Sequence, residues 1–470
     1  MLFHTFEFFW FMVALLLLVL ALPRFMTVWL LLVASYIFYG WSGPWFVLIL
    51  MASSTVDFFL ARRFAARPQY WKLGIVVSAI VNFSLLGFFK YSNFAFSNVN
   101  SALLSAGFQG NLPILHVILP VGISFYTFQS FAYICDVLTG RIQPQRSFTR
   151  FLLFVGWFPQ LVAGPINRAS ALMPQIETIE TRISGMASRV PMAGALFAEG
   201  WVRKACADLV APTSDAFFNS PAGATSAGAV WGILAFGLQI YGDFSGYTKM
   251  AQGASWLFGV RLMENFNLPY AAASVREFWR RWHISLSTWF RDYLYIPLGG
   301  NRRRPARNYF NLIFTMLVCG MWHGANWTFL LWGALHGTLL ILERVFDRGG
   351  ALIPRPVGHV LTLAFVFLAW VPFRSADLAA TGASYAALGN GGWEWPALGF
   401  LLGAASLIAV DVYYKRASRR DYDATCDDTR ALKAVGDWKA AALLAWCGLL
   451  WTAGHVLGQN KVASFIYFQF

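Results

Sequence analysis

Two histidines in the middle of this chain, His283 and His323, have the residue type and setting for proton transfer. His283 lies in REFWRRWHISLSTWFRDYLYIPLGGNRRR and His323 in GMWHGANWTFLLWGALHG. Imidazole ordinarily titrates nearest neutrality, so a histidine pair suits general acid–base work. Around them, the stretch from Tyr241 to Gly337 gathers Asp243, Arg276, Glu277, Arg280, Arg281, Arg291 and Asp292 among aromatic residues. The histidine spacing forms neither HxxxH nor HExxH, which argues against a metal site. No GxSxG elbow or Walker loop accompanies the cluster, which argues against a serine hydrolase and an ATP-driven pump. His336 follows His323 by thirteen residues and would not share a helix face with it.

The local sequence says how these residues are carried. Tyr309–Met321 is an apolar run that ends at Trp322-His323-Gly324, where Gly324 permits a helix break. Asn326 is then placed to cap a helix over Trp327–Leu342. Arg276, Arg280 and Arg291 fit one amphipathic interfacial helix, with Trp279, Trp282 and Trp289 as headgroup anchors. His283 fits that helix poorly, since Ile284, Leu286 and Phe290 point to partial burial.

The rest of the chain sets the medium. Of 470 residues, 58% are hydrophobic and only 12% charged, with a mean hydropathy of +0.54. Soluble domains carry roughly 25% charged residues, so a disordered chain and a soluble enzyme are both excluded. Apolar runs recur at Phe8–Leu22, Met26–Trp41, Trp45–Ala61, Leu73–Phe89, Leu115–Val137, Phe151–Val162, Val230–Tyr241, Tyr309–Met321, Trp327–Leu342, Val357–Val371, Ala397–Tyr413 and Ala440–Val456. Several approach the ~20 residues of one bilayer crossing, and the shorter ones read as re-entrant or bundle-buried. The fold class is an all-α, polytopic integral membrane protein of one domain over residues 1–470. An ionisable group at bilayer depth costs at least ~2.5–3.5 kcal/mol, so the central cluster needs pairing or a watered cavity.

The net charge of +14 would suggest nucleic acid in a soluble protein. Here the basic residues fill the connectors Arg62–Lys72, Arg141–Arg150, Arg302–Arg307 and Lys415–Lys433, which instead face the cytoplasm and anionic lipid. No nucleic-acid partner is expected. Three runs precede the first connector and one full-length run follows the last, so the N-terminus and the tail 459–470 are expected outside. The N-terminal run is read as a retained membrane helix, for it lacks a basic leader and a cleavage site. Cys135, Cys206, Cys319, Cys426 and Cys447 are scattered, with no CxxC pair.

Several long segments resemble the membrane-bound O-acyltransferase (MBOAT) superfamily, in particular its bacterial alginate and peptidoglycan O-acetylation branch. They are PVGISFYTFQSFAYICDV, FPQLVAGPINR, YGDFSGYTKMA, ENFNLPY, FWRRWHISLSTWFRDYLYIPLGGNR and MWHGANWTFLLWGALHG, in that order. The resemblance implies a ring of roughly 11–13 transmembrane and re-entrant helices around a central tunnel, with a catalytic core at about 241–343. It matches His323 to the superfamily's hallmark histidine and His283 to its second active-site position. It implies acetyl transfer from a cytoplasmic thioester, acetyl-CoA, to a cell-envelope or secreted polysaccharide in the bacterial inner membrane, with no bound cofactor. Asp243, Arg281, Ser285, Trp322 and Asn326 are then candidates for lining the tunnel or meeting substrate. Arg302, Arg303 and Arg304 would attract an anionic donor, unless they serve only as a topology signal. A similar tail on the small partner of a related acyltransferase implies that Tyr467 relays the acyl group. A periplasmic SGNH-hydrolase-like partner is expected to receive it. The competing readings are D-alanyl or longer-acyl transfer, a transporter or flippase of envelope precursors, and a non-catalytic scaffold.

Overall fold

A computed structural model describes residues 1–108, 112–115, 118–302, 304–348 and 353–418. Arg303, the connector beyond residue 418, the apolar run at 440–456 and the tail with Tyr467 lie outside the described residues. Within them the chain is helical, with no strand. The principal helices are α1 (Phe6–Ala21), α2 (Thr27–Gly40), α3 (Phe46–Ala65), α4 (Trp71–Ser105), α5 (Ile123–Leu138), α6 (Phe148–Gly156), α7 (Met186–Asn219) and α8 (Ser226–Leu257). They continue with α9 (Val275–Arg281), α10 (Ile284–Phe290), α11 (Pro305–His323), α12 (Trp327–Arg348), α13 (Arg355–Arg374), α14 (Leu378–Ala387) and α15 (Leu398–Ser418). Pro68–Ser105, Trp327–Phe346 and Arg355–Arg374 are long and apolar enough to cross a membrane. Shorter apolar helices accompany them at Phe6–Ala21, Arg24–Gly40 and Leu398–Val412.

Most apolar runs form helices where expected, and the departures have local causes. α4 runs sixteen residues past Phe89, to Ser105. Its extension is polar because Asn93 and Asn100 each hold a returning backbone: each carboxamide both donates to and accepts from one residue, Leu115 and Leu112 respectively, at 2.7–3.0 Å. That extended return delays α5 to Ile123, behind Gly122 at φ +76°. The run Phe151–Val162 is broken at Trp157, where the backbone leaves helical geometry (φ −52°, ψ 107°).

The largest departure is α7, a 34-residue helix in a region where hydropathy marks no run. It packs against α8 along most of their length. A Cβ on Gly200 would come within 2.5 Å of the Gly246 carbonyl, so glycine permits this close backbone approach. The polar residues that mask α7 in the sequence are buried in the seam. Glu199, Arg203, Lys204 and Asp243 are all at most 5% exposed. Arg203 pairs with Glu199 at 2.8 Å and with Asp411 of α15 at 3.0 Å. Lys204 pairs with Asp208 at 2.7 Å and with Asp243 of α8 at 2.9 Å.

Candidate active site

The segment that carries His283 is two short helices and not one. α9 ends at Arg281, α10 starts at Ile284, and His283 between them adopts φ +42°. Left-handed backbone is costly for a residue with a Cβ, so something must hold it there. Asn265, fully buried, does so: its carbonyl accepts the Ile284 N–H at 2.9 Å. Its side-chain Oδ1 accepts the Ser285 hydroxyl at 2.6 Å and the Ser285 N–H at 3.3 Å. The continuous amphipathic helix expected over Arg276–Arg291 is therefore broken at its histidine. Arg281 fastens the same turn, with its guanidinium on Glu277 at 2.7 and 3.0 Å and on the Asn267 carbonyl at 3.1 Å.

His323 ends α11. The last carbonyls of a helix have no partner within it, and here two side chains of α4 supply donors. Lys90 Nζ donates to the carbonyls of Trp322 (2.5 Å) and His323 (2.9 Å), and the Tyr91 hydroxyl donates to that of Met321 (2.6 Å). A cation at a helix C-terminus also opposes the helix dipole. Beyond the break, Asn326 Oδ1 accepts the Thr328 N–H at 3.2 Å and caps α12 as the sequence suggests. Its amide donates to the Ala376 carbonyl at 2.6 Å, which ties α12 to the end of α13.

Trp322 joins the two histidines. Its ring centroid lies 6.0 Å from that of His283 and 4.8 Å from that of His323. Phe244 of α8 meets His283 edge-on at 4.7 Å, and Trp332 and Phe373 meet His323 at 5.2 and 5.0 Å. Both imidazoles are buried, His283 fully and His323 to 6% exposure. His283 Nδ1 lies 3.5 Å from the Ser285 hydroxyl, while Nε2 finds no hydrogen-bond partner among the described residues. Trp289 closes the chamber from α10, stacked on Phe128 at 3.8 Å with its indole N–H on the Phe128 carbonyl.

The other candidates divide. Trp322 and Ser285 touch His283 directly. Arg281 and Asn326 hold the turns that bear the histidines. Asp243 belongs to the α7–α8 seam through Lys204, and Lys249 likewise pairs with Glu264 at 3.0 Å. Arg302 and Arg304 are exposed. Just before them, a cleft of about 490 Å³ is lined by Arg276, Arg280, Tyr295, Asn301, Leu340 and Arg344. His336, which the helix count sets apart from His323, reaches the same row through Trp332, 4.8 Å from its ring.

A sequence model of the membrane-bound O-acyltransferase family matches residues 143–371, which include both histidines. The chain is 41% identical over 374 residues to the probable alginate O-acetylase AlgI of Azotobacter vinelandii, covering 78% of this chain and 73% of that protein. It is 37% identical to the probable alginate O-acetylase AlgI of Pseudomonas putida over 465 residues, 94% of each chain. The chain belongs to the membrane-bound O-acyltransferase family. The peptidoglycan O-acetyltransferase of Helicobacter pylori adds 36% identity over 387 residues, 76% of this chain and 72% of that protein. This membrane-bound acyltransferase therefore takes both histidines from the family segment, while Lys90 and Tyr91, which fasten the end of α11, come from outside it. No motif marks them; a lone Lys-Tyr in an apolar run reads as an interfacial anchor.

Proposed function

We propose that this acyltransferase carries an acetyl group from a cytoplasmic thioester, acetyl-CoA, to a hydroxyl of a cell-envelope or secreted polysaccharide. The observation that carries the reading is the pair of buried imidazoles on one indole, brought there from the α9–α10 turn and the end of α11. His323 is the general base: as the acceptor oxygen attacks the thioester carbon, its proton passes to the imidazole. The C–O bond forms, the C–S bond breaks, and the departing thiolate takes the proton back from His323. A positioned base of this kind contributes roughly 10²–10⁴-fold. His283, with an uncommitted Nε2, faces the developing oxyanion or the acceptor.

The arginine cleft supports a donor with phosphates. From Trp332, beside His323, a row at four-residue spacing runs through His336 and Leu340 to Arg344, a rise of ~18 Å along α12. A pantetheine arm is about as long as five extended residues, ~17 Å. A phosphate on Arg276, Arg280 and Arg344 would thus leave the thioester near His323. Asn301 of that lining directly precedes the basic connector with Arg302 and Arg304, whose charge bias supports a cytoplasmic mouth. The acceptor hydroxyl in that step belongs to a carrier, whose acetyl ester leaves through a tunnel within the helix ring toward a periplasmic SGNH-like transferase that completes transfer to the polysaccharide. The names of the three relatives, two probable alginate O-acetylases and a peptidoglycan O-acetyltransferase, favour acetyl as cargo over D-alanyl or longer acyl groups.

The test is made in cells that build the polymer. His323→Ala should remove the alkali-labile acetyl from envelope polysaccharide while the protein reaches the membrane at its usual level. Undiminished polymer acetylation in that strain would refute the reading.

A further inference from the structure

A second polar site lies away from the histidines, where α3, α4 and α5 pack against one another. Asp57 of α3 is fully buried. Among the described residues no basic side chain pairs with it. Its carboxylate instead accepts the Ser78 hydroxyl at 3.1 Å and the Asn82 amide at 3.0 and 3.1 Å, both from α4. Ser130 of α5 faces the same carboxylate without completing a hydrogen bond to it. Ser54 lies one helical turn from Asp57, and Thr127 one turn from Ser130.

The hydroxyls of Ser54, Thr127 and Ser130 are wholly buried, and among the described residues none completes a hydrogen bond of normal geometry. Serine and threonine in helices usually bond back to a carbonyl one turn earlier. On the same helix Ser53 and Thr55 do so, at 3.1 and 2.7 Å. The three hydroxyls that do not are therefore an anomaly that calls for a ligand. A carboxylate at this depth also needs a compensating positive charge. A proton on Asp57 would supply that charge but satisfy only one oxygen. A small hard cation supplies the same charge and accepts lone pairs from several oxygens at once.

The geometry points to a monovalent cation site, best suited to sodium, built from Asp57, Ser54 and Ser130, with Asn82 and Thr127 bordering it. One carboxylate balances one positive charge, and all the ligands are oxygens. Asn82 and Lys90 are eight residues apart on α4, a rise of ~12 Å. A bound ion thus staples the helix whose Lys90 holds the end of α11.

The test uses the purified full-length chain in detergent. Thermal unfolding is compared in sodium chloride, potassium chloride and choline chloride at equal ionic strength. Sodium should raise the midpoint by several degrees over choline, and saturate as a single site does. Asp57→Asn should abolish the difference. Ser130→Ala, which keeps the carboxylate, should shift the sodium midpoint about tenfold toward higher concentration. Equal unfolding in all three salts overturns the proposal and leaves Asp57 protonated beside water. A sodium effect that survives both Asp57→Asn and Ser130→Ala overturns it too.

Discussion

Asp243 and Phe244 are consecutive on α8, yet they serve regions built on opposite principles. Asp243 turns into the α7–α8 seam and meets Lys204, in a network where Arg203, Glu199, Asp208 and Asp411 are paired at hydrogen-bonding distance. Phe244 turns the other way and meets His283 in a chamber of aromatic rings. The seam uses charged groups to join helices, with each of its two cations, Arg203 and Lys204, bridging two carboxylates. The chamber surrounds groups that can change protonation with apolar rings, and it leaves His283 Nε2 uncommitted. An ionisable residue in a membrane helix is thus no guide to chemistry until its partner is known. Asp243, a candidate by sequence, has the partner of a structural residue.

Breaking one member of the seam should produce the largest effect and should fall on stability. Lys204→Met leaves Asp208 and Asp243 facing each other in a buried site, at a cost of about 3–5 kcal/mol. Thermal unfolding in detergent should register that loss, while transfer per folded molecule holds. Lys204→Met combined with Asp243→Leu should recover part of it, since an apolar pair can replace a buried ion pair at little cost. A seam variant with normal stability and no transfer would erase the distinction drawn here.

The chamber should answer in the reverse sense. His283→Gly removes the imidazole and relaxes the φ of +42°, so relief of strain offsets part of the lost packing. Acyl transfer should fall by roughly 10²–10³, about 2.7–4 kcal/mol, as for other lost oxyanion donors. Initial rates from purified protein, normalised to folded material, are the measurement. Transfer that follows the folded fraction alone would reduce His283 to a packing residue.

Lys90→Met should have a smaller effect. It removes two hydrogen bonds from the end of α11, each worth about 0.5–1.5 kcal/mol. Because the carbonyls belong to Trp322 and His323, the loss should appear mainly in kcat, with KM little changed. Lys90→Arg should restore part of it. An equal fall in the folded fraction for both variants, without a kinetic change, would make the cap purely structural.

What the sequence discloses follows from how local each feature is. His283, His323 and the Asn326 cap are legible because each is written within a few neighbouring residues. The apolar runs become helices because a helix satisfies its own backbone. α7 is hidden, since Glu199, Arg203, Lys204 and Asp208 look like a solvated surface until α8 is in place. Lys90 lies 233 residues from the carbonyl it caps, and nothing nearby marks it. The arginines of the cleft are likewise a product of folding, because Arg276 and Arg344 come from different helices.

Asn265 tests how finely the chamber is held. In the sequence it sits within ENFNLPY, a motif that matches the family without suggesting a role for this residue. In the fold it accepts both the Ser285 N–H and its hydroxyl, and so sets the turn in which His283 is left-handed. Asn265→Ala removes the side-chain acceptor but keeps the backbone bond to Ile284, so the loss of stability should be near 1 kcal/mol, as for a helix cap. His283 would then sample more than one orientation, and transfer should drop about tenfold, equivalent to 1.4 kcal/mol. Ser285→Ala removes the other end of the same bond. If Asn265 acts through that turn, the double variant should lose clearly less than the sum of the two single losses, measured as transfer rate. Fully additive losses would mean that Asn265 supports the chamber by another route, and that the left-handed turn is held by packing of His283 against Phe244 and Trp322.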